Sequence, residues 1–117
     1  MSFLFVAIGG AIGAMLRYAI SLGPVKTTFP ILTLITNVAG AFVIGAIVAL
    51  AAKHNMSDNV MLLLKTGLCG GFTTFSTFSL ETFNLCKNGK TGMGILYAVL
   101  SLILCVIAVA GGEKCFT

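Results

Sequence analysis

Charge is what this chain has least of. Only 9% of its 117 residues are Asp, Glu, Lys or Arg, against roughly 25% in a soluble domain, which excludes a water-soluble fold. Acids are scarcest: Asp58 and Glu113 lie in connectors, and Glu81 alone lies inside an apolar stretch. A drug–proton exporter of this size needs a membrane-embedded carboxylate, and Glu81 near the far end of its stretch fits that role poorly. The single histidine, His54, falls in a connector. With no nucleophile–base pair and no phosphate-binding glycine loop, the chain is read as no enzyme. Four cysteines (Cys69, Cys86, Cys105, Cys115) lack C-x-x-C or Cys/His ligand spacing, so neither a disulfide nor a thiolate metal site is implied. Those inside apolar stretches behave as small hydrophobes. The net charge of +4 comes from basic residues scattered singly at segment ends; they read as interface anchors, not as a nucleic-acid surface. The start, Met1-Ser2-Phe3, has no basic n-region, and Arg17 falls where a cleavage region would lie. The first apolar stretch is therefore read as retained, not as a cleaved signal.

What the chain does have is hydrophobic length: 58% of its residues are apolar. Four stretches approach the ~20 residues needed to cross a bilayer: about 3–21, 31–52, 60–86 and 91–111. The connectors between them are short, and nothing remains for a soluble domain. The expected fold is thus an all-α integral membrane protein, one four-helix transmembrane domain over 1–117, with the third helix broken near 70–74. Small residues recur at helix-packing spacing, as in Gly9 with Gly13, Ala41 with Gly45, and Gly67 with Gly71, and let backbones approach closely. Four helices this tightly packed cannot enclose a pore, so transport requires an oligomer. Counting charges with both termini on one side puts Lys53, Lys65 and Lys114 there and Arg17, Lys26, Lys87 and Lys90 opposite. So little positive-inside bias leads to the expectation of dual topology and an antiparallel dimer.

The break is the most informative segment. Residues 69–79 read Cys-Gly-Gly-Phe-Thr-Thr-Phe-Ser-Thr-Phe-Ser, and glycines and hydroxyl residues are poor helix formers. Irregular backbone at membrane depth is tolerated only where protein buries it or it lines a wet path. Beyond the break, Phe75, Phe78, Ser79 and Thr82 follow i, i+3, i+4, i+7 and share a helix face, with Thr74, Thr77 and Glu81 on a neighbouring one. Phenyl rings carry positive edges; two rings one turn apart either present those edges to a small anion or pack as ordinary apolar residues. Unwound carbonyls here have a possible second use in binding a cation near a two-fold axis. In the second stretch Thr36 and Asn37 are costly in hydrocarbon unless partnered. Asn37 serves either as a donor to a desolvated anion or as interhelical glue. Arg17 either snorkels to the interface or makes the mouth of an anion path positive. Tyr97, Ser101 and Cys105 form a narrow polar stripe at i, i+4, i+8 on the last stretch.

Three motifs together, Gly-Gly-Ala-Ile-Gly-Ala-Met-Leu-Arg-Tyr at 9–18, Thr-Asn-Val-Ala-Gly-Ala-Phe at 36–42 and Gly-Gly-Phe-Thr-Thr-Phe-Ser-Thr-Phe-Ser-Leu-Glu at 70–81, resemble the small fluoride channels called CrcB or Fluc. The resemblance covers all four stretches, and its third motif is the specific one. It implies an antiparallel, dual-topology homodimer in the cell inner or plasma membrane, passively exporting cytoplasmic fluoride through two pores at the subunit interface. It also implies a structural sodium ion at the dimer centre, held by the backbone carbonyls of Gly70 and Thr73. Carried over by position, the anion path takes in Asn37, the ring edges of Phe75 and Phe78, the hydroxyls of Ser76 and Thr77, and Tyr97 with Ser101, with Arg17 near a vestibule. This chain departs from the family where the stripe on the last helix continues with Cys105 and Val109 instead of hydroxyl residues. Two rival classes remain: a small multidrug-type cation/proton exporter, and a non-transporting assembly subunit.

Overall fold

Local chemistry sets where each helix starts and stops in the computed structural model, which describes residues 2–25 and 27–117. Lys26 and Met1, used above for charge counting and for the signal reading, lie outside the described residues. Helix α1 spans Ser2–Ser21 and α2 spans Ile31–His54. Asn55 ends α2 in the left-handed conformation, its N–H returning to the Ala51 carbonyl, a common stop for which Asn is suited. Ser57 then caps α3, Asp58–Met61, accepting from the Val60 N–H at 3.3 Å. That helix runs directly into a π-helical segment, Leu62–Cys69, and on into α4, Gly70–Phe72. After a break at Thr73–Thr74 the chain continues as α5, Phe75–Lys87, and α6, Thr91–Phe116. Gly89 turns α5 into α6 with φ of 80°, which only glycine adopts freely.

Among the described residues there is no strand, and three helices, α1, α2 and α6, are long and apolar enough to cross a membrane. The sequence counts a fourth crossing over 60–86, but that stretch is delivered as two rods, neither of which reaches ~20 residues. The last helix runs five residues past the expected end at 111, to Phe116, because Gly111-Gly112 does not terminate it.

The sequence assigns Gly71 two tasks, close packing and helix breaking, and only the first is seen. Gly70 and Gly71 are helical, so the break is narrower than 70–74 and begins at Thr73. Gly71 is there for proximity: a Cβ on it would stand 2.5 Å from the Gly10 carbonyl oxygen and 3.0 Å from the Gly10 Cα. A Cβ on Gly67 would meet the Gly9 Cα at 2.9 Å. Gly9 and Gly13 answer from α1, where side chains would run into the carbonyls of Leu63 and Leu68. On the other side α2 and α6 do the same: Gly45 abuts the Val109 carbonyl, and Gly112 the Phe42 carbonyl. The small residues of α1, α2, α6 and the broken rod thus permit backbone-to-backbone packing, as their spacing predicts.

A contrast follows. Gly13→Ala places a methyl against backbone at Leu68 and within 2.7 Å of the Phe72 N, where nothing flexible can yield. It is expected to lower stability in detergent by about 1–3 kcal/mol, read from thermal or denaturant unfolding. Gly92→Ala, with nothing within 4 Å, is expected to be neutral or mildly stabilising.

One hydrophobic cluster, Leu34, Leu85 and Tyr97, ringed by Phe29, Ile31, Val38, Phe78 and Met93, ties α2, α5 and α6 together near the α5–α6 turn. It fixes where the α5 rings lie relative to the break.

Candidate functional site

A helix that stops at Phe72 leaves backbone groups without their usual partners, and here some are met locally by threonine and others from α1 and α2. The Cys69 carbonyl accepts both the Thr73 N–H at 3.0 Å and the Thr73 hydroxyl at 2.8 Å. The Gly71 carbonyl accepts from Arg17 Nε at 3.3 Å, reaching over from α1. Asn37 of α2 clamps Thr74 from both sides: its Oδ1 accepts the Thr74 N–H at 2.9 Å and its Nδ2 donates to the Thr74 carbonyl at 3.2 Å. Thr74 in turn caps α5, its hydroxyl accepting the Thr77 N–H at 3.1 Å. The same hydroxyl donates to Thr77 Oγ1 at 3.1 Å and lies 3.2 Å from Ser76 Oγ. Such a cap is ordinary helix chemistry, moved to the middle of a rod.

Two carbonyls lose their helical partners to these arrangements. The Thr74 amide, which would bond the Gly70 carbonyl in a continuous helix, goes to Asn37. The Thr77 amide, which would bond the Thr73 carbonyl, goes to the Thr74 hydroxyl. Both Gly70 and Thr73 line a groove of about 500 Å³. Backbone oxygens freed in this way are the hard donors that alkali and alkaline-earth cations take, so these residues fit a sodium ion in donor type.

The groove runs between α2, the broken rod and α6. It brings together Asn37, Gly70, Thr73, Phe75, Phe78 and Ser101, six of the ten positions singled out in the sequence. Cys105 and Val109, the departures from the family stripe, lie on the same wall. Arg17 and Thr77 line instead a smaller cavity of about 60 Å³, together with Ser21, Thr33, Thr36 and Thr74. Thr74 faces both spaces. Ser76 is exposed at the start of α5.

The aromatic residues form a relay. Phe75, 75% exposed, stands 5.5 Å from Phe78 by ring centroid. Phe78 in turn lies 5.2 Å from Tyr97, and Tyr97 meets Phe29 edge-on at 5.5 Å. Tyr97 is wholly buried and lies outside the groove lining. Its hydroxyl donates to Glu81 Oε1 at 2.9 Å, while the Thr33 hydroxyl donates to Oε2 at 2.9 Å. Glu81 is thereby held by two donors. One turn further along α6, Ser101 is 6% exposed and its Oγ is buried without a hydrogen-bond partner. A buried unpaired hydroxyl costs stability, so a small polar guest at this wall would be stabilised.

Sequence reasoning missed Thr33 and the Glu81 network it completes. The partners are 48 residues apart, and no periodicity within a segment reports such a contact. Of the two roles open to Asn37, the interhelical one is seen at Thr74; one amide N–H is spent there and a single one is left for other use.

Comparison with known proteins follows the same lines. The family model described as CrcB-like protein, Camphor Resistance (CrcB), matches residues 4–113. A fluoride-specific ion channel FluC of Shewanella amazonensis is 46% identical over 114 residues, covering 95% of this chain and 92% of that protein. One from Methylobacterium radiotolerans is 42% identical over 115 residues, covering 94% and 80%. One from Desulfotalea psychrophila is 44% identical over 113 residues, covering 93% and 88%.

Proposed function

The chain belongs to the CrcB-like family, and on that premise we propose that it is a fluoride channel of the cell membrane that lets cytoplasmic fluoride leave passively. The observation that carries the reading is the single groove in which Asn37, Phe75, Phe78 and Ser101 meet the break. Each offers a weak positive feature: one amide N–H, two ring edges, one unpaired hydroxyl. Conduction demands sites strong enough to admit an ion and weak enough to release it. A full positive charge in the path would hold fluoride too firmly. Hydrogen fluoride enters as a neutral acid and ionises in the cytoplasm, so a selective leak suffices and no energy-coupling site is required.

The finer architecture belongs to the same proposal. Together the two rods of 58–72 and 75–87 make a fourth crossing, and two oppositely inserted copies pair over the groove. The exposure of Phe75, a large apolar ring beside the break, is support for such a cover. So is the groove's open, largely apolar wall of Ala41, Ile44, Leu102, Val106 and Val109. Across a two-fold axis the freed carbonyls of Gly70 and Thr73 would double to four, and sodium there would be the positive partner that these oxygens lack. The fluoride path would pass Asn37, Phe75 and Phe78 to Ser101, with Ser76 and Thr77 at the α5 start. Tyr97, through Glu81 and Phe78, would hold the wall in place. Membrane lipid would contact the remaining apolar faces.

Protein reconstituted in liposomes and followed with a fluoride electrode is expected to empty them of fluoride but not of chloride. A rate no higher than that of protein-free vesicles defeats the reading. Orientation is tested on a Cys86→Ser background, because Cys86 and Cys115 are both exposed and lie at opposite ends of the bundle. Impermeant thiol reagent is expected to label Cys115 from both faces of sealed vesicles; labelling from one face defeats dual insertion.

A further inference from the structure

Arg17 is the one charged residue in α1, and the intuitive task for it beside an anion path is attraction. Its surroundings indicate a different one. Gly10, Gly13 and Arg17 fall at i, i+3, i+7 and share the α1 face that lies against the broken rod, where Gly10 and Gly71 nearly touch through their backbones. That approach brings Arg17 Nε to the Gly71 carbonyl at 3.3 Å, across 54 residues of chain. In an unbroken helix this carbonyl would take the Phe75 amide; here Phe75 already starts the next helix. The space around Arg17 is lined by Leu32 and the hydroxyl residues Ser21, Thr33, Thr36, Thr74 and Thr77, with no carboxylate among them.

We infer that Arg17 is a positioning residue: its Nε–H caps the broken helix at Gly71 and so fixes the backbone that Asn37 grips at Thr74, and what it supplies is this donor more than its charge. A carbonyl at a helix end buried in low dielectric is costly unless a donor meets it. A charge near a helix C-terminus adds a smaller, screened stabilisation. The two clamps, Arg17 on Gly71 and Asn37 on Thr74, come from different helices and bracket Thr73, so loss of one loosens the other's target.

Two neutral variants of nearly equal length separate donor from charge. In Arg17→Gln the side-chain amide nitrogen occupies the same place along the side chain as Nε, so the donor stays while the charge goes. In Arg17→Met both go, and the more apolar side chain is the better one for a membrane interior. Two readouts are taken: hydrogen exchange at the Thr73 and Thr74 amides in detergent, and fluoride efflux from liposomes. Exchange is expected to be about tenfold faster in Arg17→Met than in Arg17→Gln, and efflux about tenfold slower. Failure of Arg17→Met to fold where Arg17→Gln folds has the same meaning. Equal behaviour of the two variants, a better Met variant, or failure of both to fold overturns the inference in favour of charge. The efflux arm rests on the fluoride reading, whereas the exchange arm does not. A parent protein that passes no fluoride defeats the channel while the exchange comparison still decides the cap.

Discussion

Phe78→Ile is expected to slow fluoride efflux between about tenfold and a hundredfold, the cost of removing one aligned electropositive group from a low-dielectric path. Isoleucine keeps the apolar character and much of the volume but has no ring edge to present. Phe78 also packs on Tyr97 at 5.2 Å and belongs to the rim of the Leu34–Leu85–Tyr97 cluster, so this variant carries a folding cost as well. Phe75→Ile separates the two effects. At 75% exposure in the single chain, Phe75 contributes little to the subunit's own core, and its loss is expected to reduce efflux with helix content and unfolding unchanged. Efflux traces, circular dichroism and gel filtration on the two variants check this together. If both conduct like the parent, the ring edges are not part of the path.

Asn37→Asp is expected to do more. The carboxylate keeps an acceptor for the Thr74 N–H but has no donor for the Thr74 carbonyl, which Asn37 Nδ2 now meets at 3.2 Å. A buried group left unpaired costs about 1–3 kcal/mol. It also puts a negative charge on the wall of the groove, where an anion must pass through a medium that screens poorly. Efflux is expected to fall a hundredfold or more, with faster hydrogen exchange at Thr74 from the lost clamp. Asn37→Ala, uncharged but lacking both bonds, is expected to show the faster exchange with a smaller loss of efflux. Equal efflux in the Asp variant and the parent would remove Asn37 from the path, whatever happens to the clamp.

These expectations depend on contacts that were unequally visible beforehand. The α1, α2 and α6 helices follow from uninterrupted apolar runs, and the starts at Ile31 and Thr91 match the reading. The α1 run also ends where expected, at Ser21, whereas α2 and α6 run further because capping or packing outweighed composition. α2 continues to His54 because Asn55 supplies the left-handed stop, and α6 continues through Gly112 because that glycine seats the Phe42 carbonyl. Gly71 carries the same ambiguity. Glycine signals either a flexible backbone or a close neighbour, and only the neighbour, Gly10, tells which. The π-helical segment Leu62–Cys69 has no counterpart in any sequence pattern we recognise.

Hydropathy, side-chain periodicity and capping preference are properties of consecutive residues, so the chain alone settles that it is an apolar helical protein with a glycine- and hydroxyl-rich interruption near 70–74. The same linear information brings Phe75 and Phe78 to one face. Which groups satisfy that interruption, and the Glu81 carboxylate beyond it, is a question about atoms 37, 54 and 48 residues apart. Arg17 on Gly71, Asn37 on Thr74 and Thr33 with Tyr97 on Glu81 were decided by how the helices pack. The reason is energetic: an orphaned backbone or carboxylate group in a low-dielectric interior must find a donor, and the nearest one is set by geometry, not by sequence order.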